Sequence, residues 1–141
     1  MWIVVFVLVL CALTVFIISK NKQNNVVSGN INNNYNFNIV GEAAYQNNLK
    51  TIAGPKKESS KFHQCTAKVT SEPTNKFDKN AVKVEINGLL VGYLSKSDAQ
   101  GCAGRNINKS IPAVIDGGWD DGDSVGQYGV KLAINNVREL I

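Results

Sequence analysis

Two regimes of hydrophobic patterning divide this chain. Residues Trp2 to Ile18 read WIVVFVLVLCALTVFII, apolar on every side, and Ser19 carries the uncharged run to the first cations, Lys20 and Lys22. A core-facing helix keeps a polar stripe and a buried strand is shorter, so the run predicts a single transmembrane helix over residues 1–19, at the short end of what spans a bilayer. A cleaved signal peptide is the rival. It needs cations ahead of the apolar run and a small-x-small site behind it, and this sequence has neither. A lipobox ending at Cys11 fails as well, because Leu10 stands where a small residue belongs.

Between that run and Phe37 large apolar residues nearly vanish. Asn21 to Asn38 holds nine asparagines in eighteen positions, too little apolar surface to offset the entropy of ordering it, so residues 20–36 are predicted to form a flexible spacer. From Phe37 onward short apolar runs alternate with turn residues, the pattern of a small antiparallel β domain. Phe37 to Val40 predicts a first strand, and Tyr45 to Ile52 a short helix or irregular crossover before the Gly54-Pro55 break. From His63 to Val69, residues His63, Cys65, Ala67 and Val69 alternate with Gln64, Thr66 and Lys68, which predicts a second strand. Ala81 to Ile86 alternates cleanly, Asn87-Gly88 is a two-residue hairpin signal, and Leu89 to Leu94 is the return strand. Ser95 stands where it caps a helix from Lys96 to about Ala103. Ile111 to Ile115 and Gly129 to Ile134 form a last pair around a polar loop. Five or six strands with one or two short helices predict a mainly β fold over residues 37–141, a small OB-like or SH3-like, partly closed antiparallel barrel.

Charge adds a direction to this picture. The chain carries 15 Lys and Arg against 11 Asp and Glu, net +4, and all of it follows the apolar run. Residues 20–83 hold ten Lys against four acids, while residues 84–141 hold five bases against seven acids. A basic half suits an anionic partner but is also common without one. Because the nearest cations follow the apolar run, the positive-inside rule predicts a single-pass protein with its N-terminus out and its C-terminal domain cytoplasmic. Cys65 and Cys102 are too far apart and too few for a disulfide framework, which predicts free thiols in a reducing compartment.

One stretch is specific enough to name a relative. Glu72-Pro73-Thr74-Asn75-Lys76-Phe77-Asp78-Lys79-Asn80-Ala81-Val82-Lys83-Val84, then Asn87-Gly88, then Val91-Gly92-Tyr93-Leu94, resembles the HIRAN signature of an E-P-x-N-x-aromatic-D-x-N-A-V core, a hairpin and a V-G-Y-L strand. Phe37-Asn38-Ile39-Val40-Gly41 is similar to the opening strand of that family, and Ile111 to Ile115 with Tyr128 to Leu132 to its closing strands. The resemblance covers Phe37 to about Ile134. It implies an OB-like barrel, found alone or fused to SNF2-type helicases, that in its best understood members grips the 3′ end of single-stranded DNA without catalysis.

By family position, Phe77 is then the stacking platform for the last base and Asp78 the acceptor for the free 3′ hydroxyl, a carboxylate that also repels a phosphate. Asn75 lies on the same loop, and Lys96 stands where a cation meets a phosphate. The chain departs from DNA-end-binding members after Gly41. Glu42, Ala43 and Ala44 stand where those carry a basic residue and an aromatic, which leaves Tyr45 or Tyr93 to supply the second ring. The residues taken alone allow a plainer reading, in which Asn75, Asp78 and Asn80 make side chain to backbone turns, Phe77 anchors the turn in the core, and Glu72 and Pro73 are structural.

Other chemistry finds little support. His63 and Cys65 are two ligands, short of a zinc site, and Asp116 to Asp123 lacks the spacing and closing Glu of a calcium loop. Ser59 and Ser60 lie near His63 without an elbow or orienting acid, and no phosphate-cradling glycine motif occurs, so no enzyme, metal or cofactor is expected. Two functions remain: a membrane-tethered nucleic-acid-binding module, with single-stranded DNA as partner, or a protein-interaction adaptor on a similar scaffold whose DNA-end pocket is lost.

Overall fold

The computed structural model describes residues 33–141. The expected transmembrane helix and the spacer up to residue 32 lie outside the described residues. Among the described residues no helix is long and apolar enough to cross a membrane.

The described part is mainly β, a curled six-stranded antiparallel sheet that makes a half-barrel. Its strands are β1 (Phe37–Asn38), β2 (Lys61–Ser71), β3 (Val82–Ile86), β4 (Leu89–Tyr93), β5 (Asn108–Gly117) and β6 (Tyr128–Leu132). Their order is β1-β6-β5-β2-β3-β4, with every pairing antiparallel. The helices are short: α1 (Gln46–Ala53), entered through a 3₁₀ turn over Glu42–Tyr45, α2 (Lys96–Gly101), and a 3₁₀ turn over Val137–Leu140.

Alternation in β2 works as the pattern predicts. Ala67 and Val69 are buried while Phe62, Gln64, Thr66 and Lys68 face out. The β3–β4 hairpin turns at Asn87 and Gly88 with φ of 52° and 75°, both positive, as a primed two-residue turn demands. Inside the curl, Leu49, Val69, Val84, Ile86, Val91, Ile115 and Leu132 form the centre of one core.

The two edges of the sheet meet. Val40, just past β1, exchanges backbone hydrogen bonds with Tyr93 of β4 at 2.8 and 2.9 Å. Because β1 is two residues long, the rest of that seam is open, and α1 lies over it. Gln46 donates through Nε2 to the Tyr128 carbonyl and accepts the Tyr128 N–H through Oε1, both at 2.9 Å. Asn48 donates to the Leu90 carbonyl at 2.8 Å. Gln46 and Asn48, on opposite flanks of α1, thus bind the two sides of the gap, and Leu49 is fully buried.

Contacts with the sheet begin earlier than the change of pattern at Phe37. Tyr35 packs edge-on against Phe62 with ring centroids 5.8 Å apart, and its hydroxyl accepts from Gln64 at 3.2 Å. The last residues of the predicted spacer therefore belong to the domain, because one aromatic found a partner that linear composition does not reveal.

Candidate nucleic-acid interface

The connection from β2 to β3 is shaped by its own polar side chains. Glu72 N–H donates to the Ala81 carbonyl at 2.8 Å, Asn75 N–H to the Glu72 carbonyl at 3.0 Å, and Ala81 N–H to the Asp78 carbonyl at 3.0 Å. Asn75 Oδ1 accepts from the backbone N–H groups of Phe77 and Asp78 at 2.9 and 3.1 Å. Asp78 Oδ1 accepts from Asn80 N–H at 2.9 Å. Such Asx turns fix a backbone that has no ladder to lean on. Glu72 then ties the loop to β4: one carboxylate oxygen accepts from Asn75 Nδ2 at 3.4 Å, the other from the Tyr93 hydroxyl at 3.1 Å.

What this loop holds up is Phe77, 97% exposed. The plainer expectation that the ring anchors the turn in the core is corrected: the turn is anchored by Asn75, Asp78 and Glu72, and the phenyl stands in water. Beside it opens a cleft of about 320 Å³ that brings together Asn75, Phe77, Asp78, Tyr93 and Lys96 over a small apolar floor at Leu94. Five of the six sequence-predicted residues therefore share one cavity.

Their capacities differ. Asn75 has both amide atoms committed to the loop, so it positions the others. Asp78 uses Oδ1 on Asn80, while Oδ2 has no partner among the described residues. Lys96 opens α2, exposed. The Ser95 hydroxyl caps that helix by accepting from Asp98 N–H at 3.1 Å and donates to Asp98 Oδ2 at 2.6 Å, so the nearest acid in sequence is occupied. Among the described residues the ion pairs are Lys83–Glu85 and Lys131–Asp116, and neither involves Lys96.

Tyr93 is half-buried, and its phenol is pushed up to about 12, first by burial and then by the hydrogen bond and charge of Glu72, with Tyr45 adding a smaller effect. It stays a neutral donor at any physiological pH. Tyr45, the sixth predicted residue, ends the 3₁₀ turn beside Tyr93 without lining the cleft. Ala43 and Ala44 are exposed and do not line the cleft.

His63 and Cys65 gather no further ligand, since no three His, Cys, Asp or Glu side chains among the described residues come together. Cys65 and Cys102 are both free thiols. Burial pushes Cys65 up to about 11 and Cys102 in the same direction, the opposite of an activated nucleophile. No protein-family model, no curated protein and no solved structure matches the chain.

Proposed function

We propose that this chain is a membrane-tethered, non-catalytic module that binds single-stranded nucleic acid, DNA in the first instance, near a free 3′ end, as an OB-like barrel of the HIRAN type that its motifs resemble. The observation that carries this reading is the fully exposed Phe77 on a loop fixed by side chain to backbone bonds. A phenyl in water contributes nothing to the core, and a rigid, sequence-tolerant π-face is what a terminal base stacks on. Within the same cleft the free oxygen of Asp78 accepts from a hydroxyl and repels a phosphate, and Lys96 meets the phosphate one step back.

The test is a mobility shift with oligonucleotides that carry either a free or a phosphorylated 3′ end. The free end should bind more tightly. Phe77→Ala should weaken binding by about one to two decades, as expected for roughly 1–3 kcal/mol of base stacking. Equal binding of both ends, or a Phe77→Ala protein that binds like the parent, sinks the proposal.

A second reading, the protein-docking adaptor, draws on two features: Phe62 on the outer face of β2 is 68% exposed, and Ala43 and Ala44 stand where DNA-end-binding members of the resembled family carry a basic residue and an aromatic. Under that reading Phe77 and Phe62 are anchors for a partner, and neither end of an oligonucleotide is bound.

A further inference from the structure

On the far side of the Phe77 loop lies a second cleft, of about 400 Å³, whose polar wall is made by Ser71, Lys79, Asn80, Arg105 and Asn106. The two clefts share Ala81 at their base, so the loop is a ridge between them. Asn75, Phe77 and Asp78 serve one slope, and Pro73, Lys79 and Asn80 the other. The chemistry differs sharply across that ridge. The first cleft pairs one carboxylate, Asp78, with one cation, Lys96, while the second is lined by two cations and no acid.

Arg105 is held in place by its backbone. Gly104, at φ 75°, turns the chain after α2, and Arg105 N–H donates to the Cys102 carbonyl at 3.0 Å. Its carbonyl accepts from the Ser71 hydroxyl at 3.2 Å, and that hydroxyl accepts from Ile107 N–H at 2.9 Å. Lys79 lies opposite on the rigid loop. Neither cation makes an ion pair with an acid among the described residues. Two exposed cations thus line one acid-free cleft, and the planar guanidinium is suited to grip a phosphate through two N–H groups.

We infer that the Lys79–Arg105 cleft is a second phosphate-binding subsite, which takes the backbone of a nucleic-acid strand after it crosses the Phe77 ridge. The inference rests on the proposed binding function and adds polarity to it. The strand end lies on the Asp78 side, where a phosphate is repelled, and the chain runs away from its end over Phe77 toward Arg105. Bound length then exceeds what one cleft holds.

The experiment uses the full chain and fluorescence anisotropy with two oligothymidylates, one of about three nucleotides and one of about ten, within the span that such barrels cover. Lys79→Gln with Arg105→Gln, a pair that keeps the side-chain bulk and leaves the backbone bonds of Arg105 intact, should lower affinity for the longer strand about tenfold. Its log-log salt slope should flatten by about 1.4, two phosphates' worth. Binding of the short strand should stay as in the parent. If the double variant binds both lengths like the parent while Phe77→Ala weakens both, the subsite is wrong and the end-binding reading stands. If the parent binds neither strand, both fall together. Should the double variant lose its native circular dichroism, Arg105→Lys, which keeps charge but not the planar fork, serves in its place. That variant must still weaken the longer strand alone, and parental binding overturns the subsite.

Discussion

Gly92 shows how a residue that reads as a motif letter serves the fold. A Cβ at this position would stand 2.6 Å from the Val40 carbonyl oxygen and 2.8 Å from Ile39 Cδ1. Backbone cannot give way there, since Val40 is the residue that closes the sheet on Tyr93. Gly92→Ala is therefore expected to pry open the seam at a cost of about 1–3 kcal/mol, the usual range for overpacking, seen as a lower urea midpoint. An unchanged midpoint would show that the seam is soft. The adjacent Tyr93 gives a pH signature. Its folded pKa, about 12, lies above its ordinary value of 10.0, so the protonated phenol is favoured by folding. The contribution is fully present below pH 10 and is lost as pH rises through about 12. Tyr93→Phe should make stability fall less steeply than in the parent across that window, with no such divergence at neutral pH. Parallel denaturation curves at both pH values would contradict it. At this scale the sequence carried identities and chemistry, Phe77 and Asp78 among them. Whether Phe77 faced water or core was hidden, because that depends on Asn75 and Glu72 reaching partners elsewhere in the fold.

Among elements, the loop from Glu72 to Ala81 is the one on whose stability the proposed function depends. It has no strand ladder and no buried apolar side chain at its tip, so its shape depends on the bonds around Asn75, Asp78 and Glu72. Glu72→Ala removes the carboxylate that joins loop to β4. Hydrogen bonds to a charged group contribute about 1.5–3 kcal/mol, and less where water reaches them, so the domain should lose on the order of 1 kcal/mol. Oligonucleotide affinity should fall too, although Glu72 does not line the cleft, because Phe77 and Asp78 lose their fixed spacing. Faster hydrogen exchange confined to residues 72–81 is the readout, and unchanged exchange with weakened binding would mean that Glu72 touches the ligand directly. The neighbouring elements explain what patterning can and cannot tell. The hairpin at Asn87-Gly88 was legible because its φ values are a local demand. Strands β2 and β5 run longer than their apolar runs, since their pairing continues from Lys61↔Gly117 to Thr70↔Asn108, and a ladder needs only backbone groups where apolar pattern reports burial. The Lys79–Arg105 cleft was invisible for a related reason: its two cations are 26 positions apart in sequence and meet only once β2 has brought Ser71 beside Ile107.

For the molecule as a whole, the question is where the domain begins. Composition sets the boundary at Phe37, yet two observations move it back. Tyr35 stacks edge-on against Phe62, and its hydroxyl accepts from Gln64. A chain that starts at Asn33 and one that starts at Phe37 should therefore both fold, since the core inside the curl is the same in each, but the shorter one should be less stable by about 1.5–2.5 kcal/mol. That figure joins one aromatic pair, about 0.5–1.5 kcal/mol, to one hydrogen bond of about 1 kcal/mol. Tyr35→Ala in the longer chain should reproduce most of the difference, which assigns it to the ring rather than to chain length. Gln64, which Tyr35 touches, and Ser71, which lines the Lys79–Arg105 cleft, are seven residues apart on β2, about 23 Å at the usual rise, so Tyr35→Ala should leave oligonucleotide affinity as in the parent. Equal urea midpoints for the chains from Asn33 and Phe37 would return the boundary to Phe37.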